Sequence, residues 1–187
     1  MSEAGSQQVA NDGATAAAAR SFAERFVGAL RLDGSVYEEV ASDAGAIAQA
    51  AGVAAVAAAA RAIGVFSTTT SGAAVFGALS VFAFWPLAAV LVWTVGHLLK
   101  SPGEFGRVLR VVGFSMAPLI LVPNEWFRGA VLLVTYALLF GALLVGVRQA
   151  LRIDTGRAAF VCILVAMMFF LIYSMAIFVV LRTGGTS

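Results

Sequence analysis

Between residues 44 and 181 the chain runs through five apolar stretches, at roughly 44–66, 74–99, 108–123, 127–147 and 158–181. The core of a bilayer is about 30 Å thick and takes about 20 helical residues to cross, with a working range of about 17–25. Four of the stretches meet that length unaided. The third, 108–123, meets it only if residues 105–107 contribute. The first is mostly alanine and glycine and is interrupted by Arg61, so its composition suits burial among other helices better than contact with lipid. In lipid every backbone polar group must find its partner within the segment, which leaves helices for runs of this length. With 61% hydrophobic and 12% charged residues, the chain departs from soluble domains, which carry about 25% charged residues. The predicted fold class is all-α: a polytopic membrane bundle of five transmembrane helices preceded by short amphipathic helices.

The chain divides accordingly. Residues 1–20 are rich in Ala, Ser, Gln and Gly and form an expected disordered tail. Residues 21–43 form a juxtamembrane unit, residues 44–181 the membrane domain, and residues 182–187 a short tail. In the juxtamembrane unit, Ser21 and Glu24 fit a capping box, and Phe22, Phe26 and Leu30 recur every four residues. This predicts an amphipathic helix that lies on the membrane surface or docks on neighbouring spans. Asp33-Gly34 reads as a turn, and Ser35 with Glu38 repeats the capping-box pattern at the start of a second helix.

The stretch 101–123, SPGEFGRVLRVVGFSMAPLILVP, carries the signals of another helix start. Ser101 is placed to cap, Pro102 stands at the first helical position, and Glu104 is three residues past the cap. Arg107 and Arg110, three apart, share one face, and Arg110 is near enough to the end to snorkel.

Orientation follows from the basic residues. With the N-terminus in the cytoplasm, the inner segments hold Arg20, Arg25 and Arg31; Lys100, Arg107 and Arg110; and Arg148, Arg152 and Arg157. The outer ends hold Arg61, Arg128 and Arg182. The positive-inside rule therefore favours N-in, C-out. Trp126 fits an interfacial anchor in the outer loop, and Trp85 falls near mid-span.

Few residues offer chemistry. Spans two to five contain no Asp or Glu, whereas pumps and proton-coupled carriers keep such groups at membrane depth. His97, the single histidine, sits at the end of the second span and reads as a structural, interfacial residue. Cys162 is the only cysteine, so no intrachain disulfide forms, and one thiol builds no metal site. No nucleophile triad, metal-spaced ligand set or phosphate-binding glycine loop is present, so no catalytic residue, cofactor or metal ligand is assigned. A net charge of +2 does not imply a nucleic-acid partner. Pro86 and Pro118 each free a carbonyl four residues earlier, at Phe82 and Phe114, with Ser80 and Ser115 as nearby donors. They read either as packing kinks or as the broken helices of a binding site. Small residues four apart, Ala48/Gly52 and Ala142/Gly146, allow close helix approach. Lys100, Arg107, Arg110, Arg148, Arg152 and Arg157 form a basic ring that either faces anionic headgroups or a partner, or simply sets topology.

The run LDGSVYEE at 32–39, five apolar segments, the run GRVLRVVGFSMAP at 106–118 and the turn VRQAL at 147–151 together resemble the Yip-domain family. The resemblance covers roughly residues 22–181. It implies a five-span helical membrane domain with a cytoplasmic N-terminus. Eukaryotic members bind small Rab/Ypt GTPases in Golgi and ER vesicle traffic, and the tyrosine- and proline-bearing N-terminal motifs associated with them are absent here. The Arg, Ala and Gly bias with a single lysine points to a prokaryotic cell membrane. The expected role is non-enzymatic: a scaffold acting through helix packing, lipid contact, a protein partner or self-association, its working face formed by 22–43 and the two basic turns. The alternative is a small permease or channel-like subunit with Pro86 and Pro118 framing a passage.

Overall fold

A computed structural model describes residues 20–66, 71–121 and 128–184. The expected tail up to residue 19, the loop bearing Trp126 and the last three residues lie outside the described residues. The elements are α1 (Phe22–Leu30), α2 (Gly34–Ser42), α3 (Ala46–Phe66), α4 (Ser71–Leu98), α5 (Phe105–Ser115), a 3-10 turn (Ala117–Ile120), α6 (Arg128–Leu151) and α7 (Thr155–Gly184).

Among the described residues four helices are long and apolar enough to cross a membrane, through Ala46–Ile63, Leu79–Leu98, Gly129–Leu151 and Thr155–Ile172. The predicted third span differs. α5 has 11 helical residues, about 16 Å of helix, and then the backbone tightens into the 3-10 turn. Pro118 is the physical reason: it has no N–H to donate and its ring crowds the preceding turn. The next amides bond three residues back instead, Leu119 N to Met116 O at 2.9 Å and Leu121 N to Pro118 O at 3.1 Å. Pro86 behaves differently. It lies exposed within the unbroken 28 residues of α4, whereas Pro118 is buried and ends its helix.

α3 and α4 pack as an antiparallel pair, α5 lies against both, and α6 packs on α5. α7 closes the bundle against α6 and α4, with Phe84 and Phe169 stacked at 3.7 Å between ring centroids. The turn before α5 is seated on the end of α6: Ser101 Oγ donates to Leu151 O at 2.6 Å, and a Cβ on Gly103 would meet Ala150 O at 2.8 Å. α6 begins at Arg128, at its opposite end. α5 and the 3-10 turn therefore run back along α6 from its Leu151 end, although α5 itself is short.

Gly146 explains how close that packing is. A Cβ there would sit 2.5 Å from Val111 Cγ1 and 3.0 Å from Ser115 Oγ. The Ala142/Gly146 pair is thus a true contact surface. The Ala48/Gly52 pair is not, because Ala48 is exposed and α3 buries Ala50, Val53, Ala54 and Ala57 instead.

Candidate functional site at the basic end

α1 and α2 are part of the bundle. Val36, Tyr37, Val40 and Ala41 of α2 are fully buried against α5 and α6. α1 starts with the predicted capping box, Ser21 with Glu24. α2 starts two residues earlier than Ser35/Glu38 implied. Asp33 is its cap, accepting from Ser35 N at 2.9 Å, and Glu38 is released for another task.

That task is Arg107, whose Nη2 donates to Glu38 Oε1 at 3.1 Å. Arg110 does not snorkel: its guanidinium donates to the carbonyls of Val40 and Ala41, in the last turn of α2. Those carbonyls lack intrahelical partners, and a cation complements the negative end of the helix dipole. Two arginines of α5 thus anchor α2.

On the other side of α2 lies Arg25 of α1, only 2% exposed. Its Nη2 is 2.8 Å from Glu39 Oε1, and its Nη1 is 2.8 Å from Asp43 Oδ2 and 2.9 Å from Gln49 Oε1. Arg20 also bridges to Glu39, at 3.2 Å. The hydrogen bond from Arg25 holds the Asp43 carboxyl below its ordinary range, against the opposing effect of burial. For Arg25, burial works against the charge but the bonds to Asp43 and Glu39 outweigh it, and its pKa rises. The periodicity of Phe22, Phe26 and Leu30 did not mark Arg25 as an inward residue. The signal available was Glu39 and Asp43, four apart and so on one face of α2.

The predicted start of the next helix also changes. α5 begins at Phe105 after Glu104, which makes no side-chain cap. Ser101, expected to cap it, serves α6 by binding the carbonyl of Leu151 and accepts from Gly103 N at 3.2 Å. An orphan helix-end carbonyl is satisfied in this way.

Of the six basic candidates, three converge. Arg107, Arg110 and Arg152 line a cavity of about 160 Å³ together with Ala41, Ser42, Pro102 and Glu104. Arg148 reaches Thr155 Oγ1 at 3.4 Å, Arg157 pairs with Asp154 at 3.3 Å, and Lys100 is exposed; none of the three lines the cavity. His97 is exposed and stacked on Trp93 at 5.4 Å. Cys162 is buried. Trp85 is buried at mid-span, and its Nε1 donates to Leu109 O at 2.7 Å. Ser115 Oγ lies 2.9 Å from Val111 O and 3.2 Å from Ala142 O, so it links α5 to α6. Pro86 faces outward and Pro118 faces the packed interior, so the two prolines do not border one common space. Among the described residues no group of His, Cys, Asp and Glu is arranged to hold a metal ion.

A family model of the Yip1 domain matches residues 29–177. The chain belongs to the Yip1-domain family. That match takes in every element from the end of α1 to most of α7, including the short α5, and with the four long apolar helices it makes the protein an integral membrane protein. No curated protein and no solved structure matches the chain significantly.

Proposed function

We propose that this Yip1-domain protein is a non-enzymatic membrane scaffold that works through its basic end, with that end in the cytoplasm. The observation that carries the reading is the fixed docking of α1 on the bundle. Arg25 locks α1 to α2 and α3, leaving a surface groove of about 410 Å³ bordered by Arg20, Glu24, Val27, Arg31 and Asp33. Val27 is 42% exposed there, an apolar side chain within a rim of mixed charge. This is the composition of a modest protein-binding surface, and it suits a protein partner or a second copy of the chain.

The same reading gives five crossings. In that reading α5 and the 3-10 turn belong to the third crossing, so the N-terminus is inside and the C-terminus outside. The cluster of Lys100, Arg107, Arg110, Arg148, Arg152 and Arg157 at one end supports this orientation, and the composition supports a prokaryotic cell membrane. Val27→Asp with Arg31→Glu should cut recovery of crosslinked partners by roughly tenfold, the size of one lost interface anchor, with membrane insertion unchanged. Equal recovery from wild type and the double variant refutes the scaffold reading.

A further inference from the structure

The lining of the cavity at the basic end carries three arginines against one acid. The carboxylates of α2 are already engaged: Glu38 with Arg107, Glu39 with Arg20 and Arg25, and Asp43 with Arg25. Arg110 spends its donors on the neutral carbonyls of Val40 and Ala41 and forms no ion pair among the described residues; Asp43 and Glu104 act on its charge only at longer range, against burial and the neighbouring Arg107. Arg152 forms no ion pair among the described residues, and Glu104 is the one acid lining the space. Arg107 Nε is buried with no hydrogen-bond partner among the described residues. Arg107 and Arg110 repel each other at the cavity wall, and an anion between them reverses the sign of that energy. The forked donors of arginine match tetrahedral phosphate oxygens.

Size and depth narrow the anion. The cavity, about 160 Å³ and open to solvent beside Pro102, Glu104 and Arg152, has room for one phosphate group. Its lining residues Pro102, Glu104 and Arg152 fall just beyond the apolar windows that end at Leu98 and Leu151. That is the level of the headgroups.

We propose that Arg107, Arg110 and Arg152 form a binding site for a single phosphate group. The site deepens the basic-end reading above and rests on its membrane frame. The phosphate arrives either on a phospholipid headgroup or free in solution. The clean variant is Arg152→Gly, because Arg152 has φ 53°, a left-handed conformation that glycine adopts without strain.

The test uses full-length protein in phosphatidylcholine nanodiscs doped with phosphatidic acid, with retained lipid counted by native mass spectrometry. Arg152→Gly should lower retention roughly tenfold, the effect of losing one charge-assisted hydrogen bond, and Arg107→Gln should do the same. Arg157→Gln, at the same end but outside the cavity, should change it less than about twofold. Phosphatidic acid that resists displacement by millimolar inorganic phosphate supports the site with a lipid source. Displacement, with inorganic phosphate binding in an Arg152-dependent manner, supports the site with a soluble source. Equal retention by wild type and Arg152→Gly, or equal losses in Arg152→Gly and Arg157→Gln, overturns the site. Either failure leaves the scaffold reading standing, because that is judged by partner recovery at the Val27 and Arg31 groove.

Discussion

At the basic end, Arg25, Arg107 and Arg110 each reach from one helix to another and leave few backbone ends of α2 unpartnered. Further along the bundle the described side chains are of another kind: Leu133 is 73% exposed, Phe170 70% and Ile63 69%. These side chains are mostly exposed and match a lipid surround. Charged ties between helices are therefore concentrated at one end, and the rest is held by apolar packing with a few bonds such as Trp85 to Leu109 and turns an apolar surface outward. A polar bond specifies a single geometry, whereas lipid contact tolerates many side chains. The rigid end is the one that can present a defined surface to a ligand.

The largest effect should come from cutting the polar tie. Arg25→Ala leaves Glu39, Asp43 and Gln49 facing an empty site. The expected loss is about 2–3 kcal/mol, below the usual about 3–5 kcal/mol for a buried pair because Glu39 and Asp43 keep partial exposure. Thermal unfolding in detergent measures it, with Leu133→Ala as a comparison that should move stability by less than about 0.5 kcal/mol. Equal effects from the two variants would erase the distinction between the ends.

A second break acts on close packing. Gly146→Val drives new methyl groups into Val111 and should cost about 2 kcal/mol. Adding Val111→Ala should return part of it, and the double-mutant cycle in the same assay reads the coupling between the two positions.

The smallest effect sharpens the comparison by pH. The folded Asp43 carboxyl titrates below its ordinary value. Its contribution is therefore complete above the unfolded pKa of about 3.9 and is lost as pH falls through the lower folded value. The loss should not exceed about 1 kcal/mol for a partly exposed pair, and Asp43→Asn should flatten the acid limb of the unfolding curve.

Much of this architecture is legible in the residues. Apolar runs locate the four long helices, Ser21 and Glu24 locate the start of α1, and Ala142 with Gly146 locate a close contact. What escapes is whatever depends on a distant partner. Ser101 has every local mark of a helix cap, but the carbonyl of Leu151 competes for its hydroxyl and wins. Pro118 reads as a packing kink or as part of a broken-helix binding site from sequence, and the bond from Ser115 to Ala142 O that ties its turn to α6 is not visible there. Arg25 is hidden by the apolar rhythm of its own helix, since its partners lie on α2 and α3. The cavity needs Arg152, a residue remote in sequence from Arg107 and Arg110, and spacing alone does not distinguish it from Arg148 or Arg157.

Synthesis proceeds from the amino end, so α5 leaves the ribosome before α6 exists. Eleven helical residues that include Arg107 and Arg110 do not partition into lipid alone. The groove that receives them is made by Ala142 and Gly146, which are translated later. Arg107 and Arg110 have their partners on α2, which is translated earlier, so this charged half-helix docks by its polar end first and gains its close contact with Gly146 only once α6 emerges.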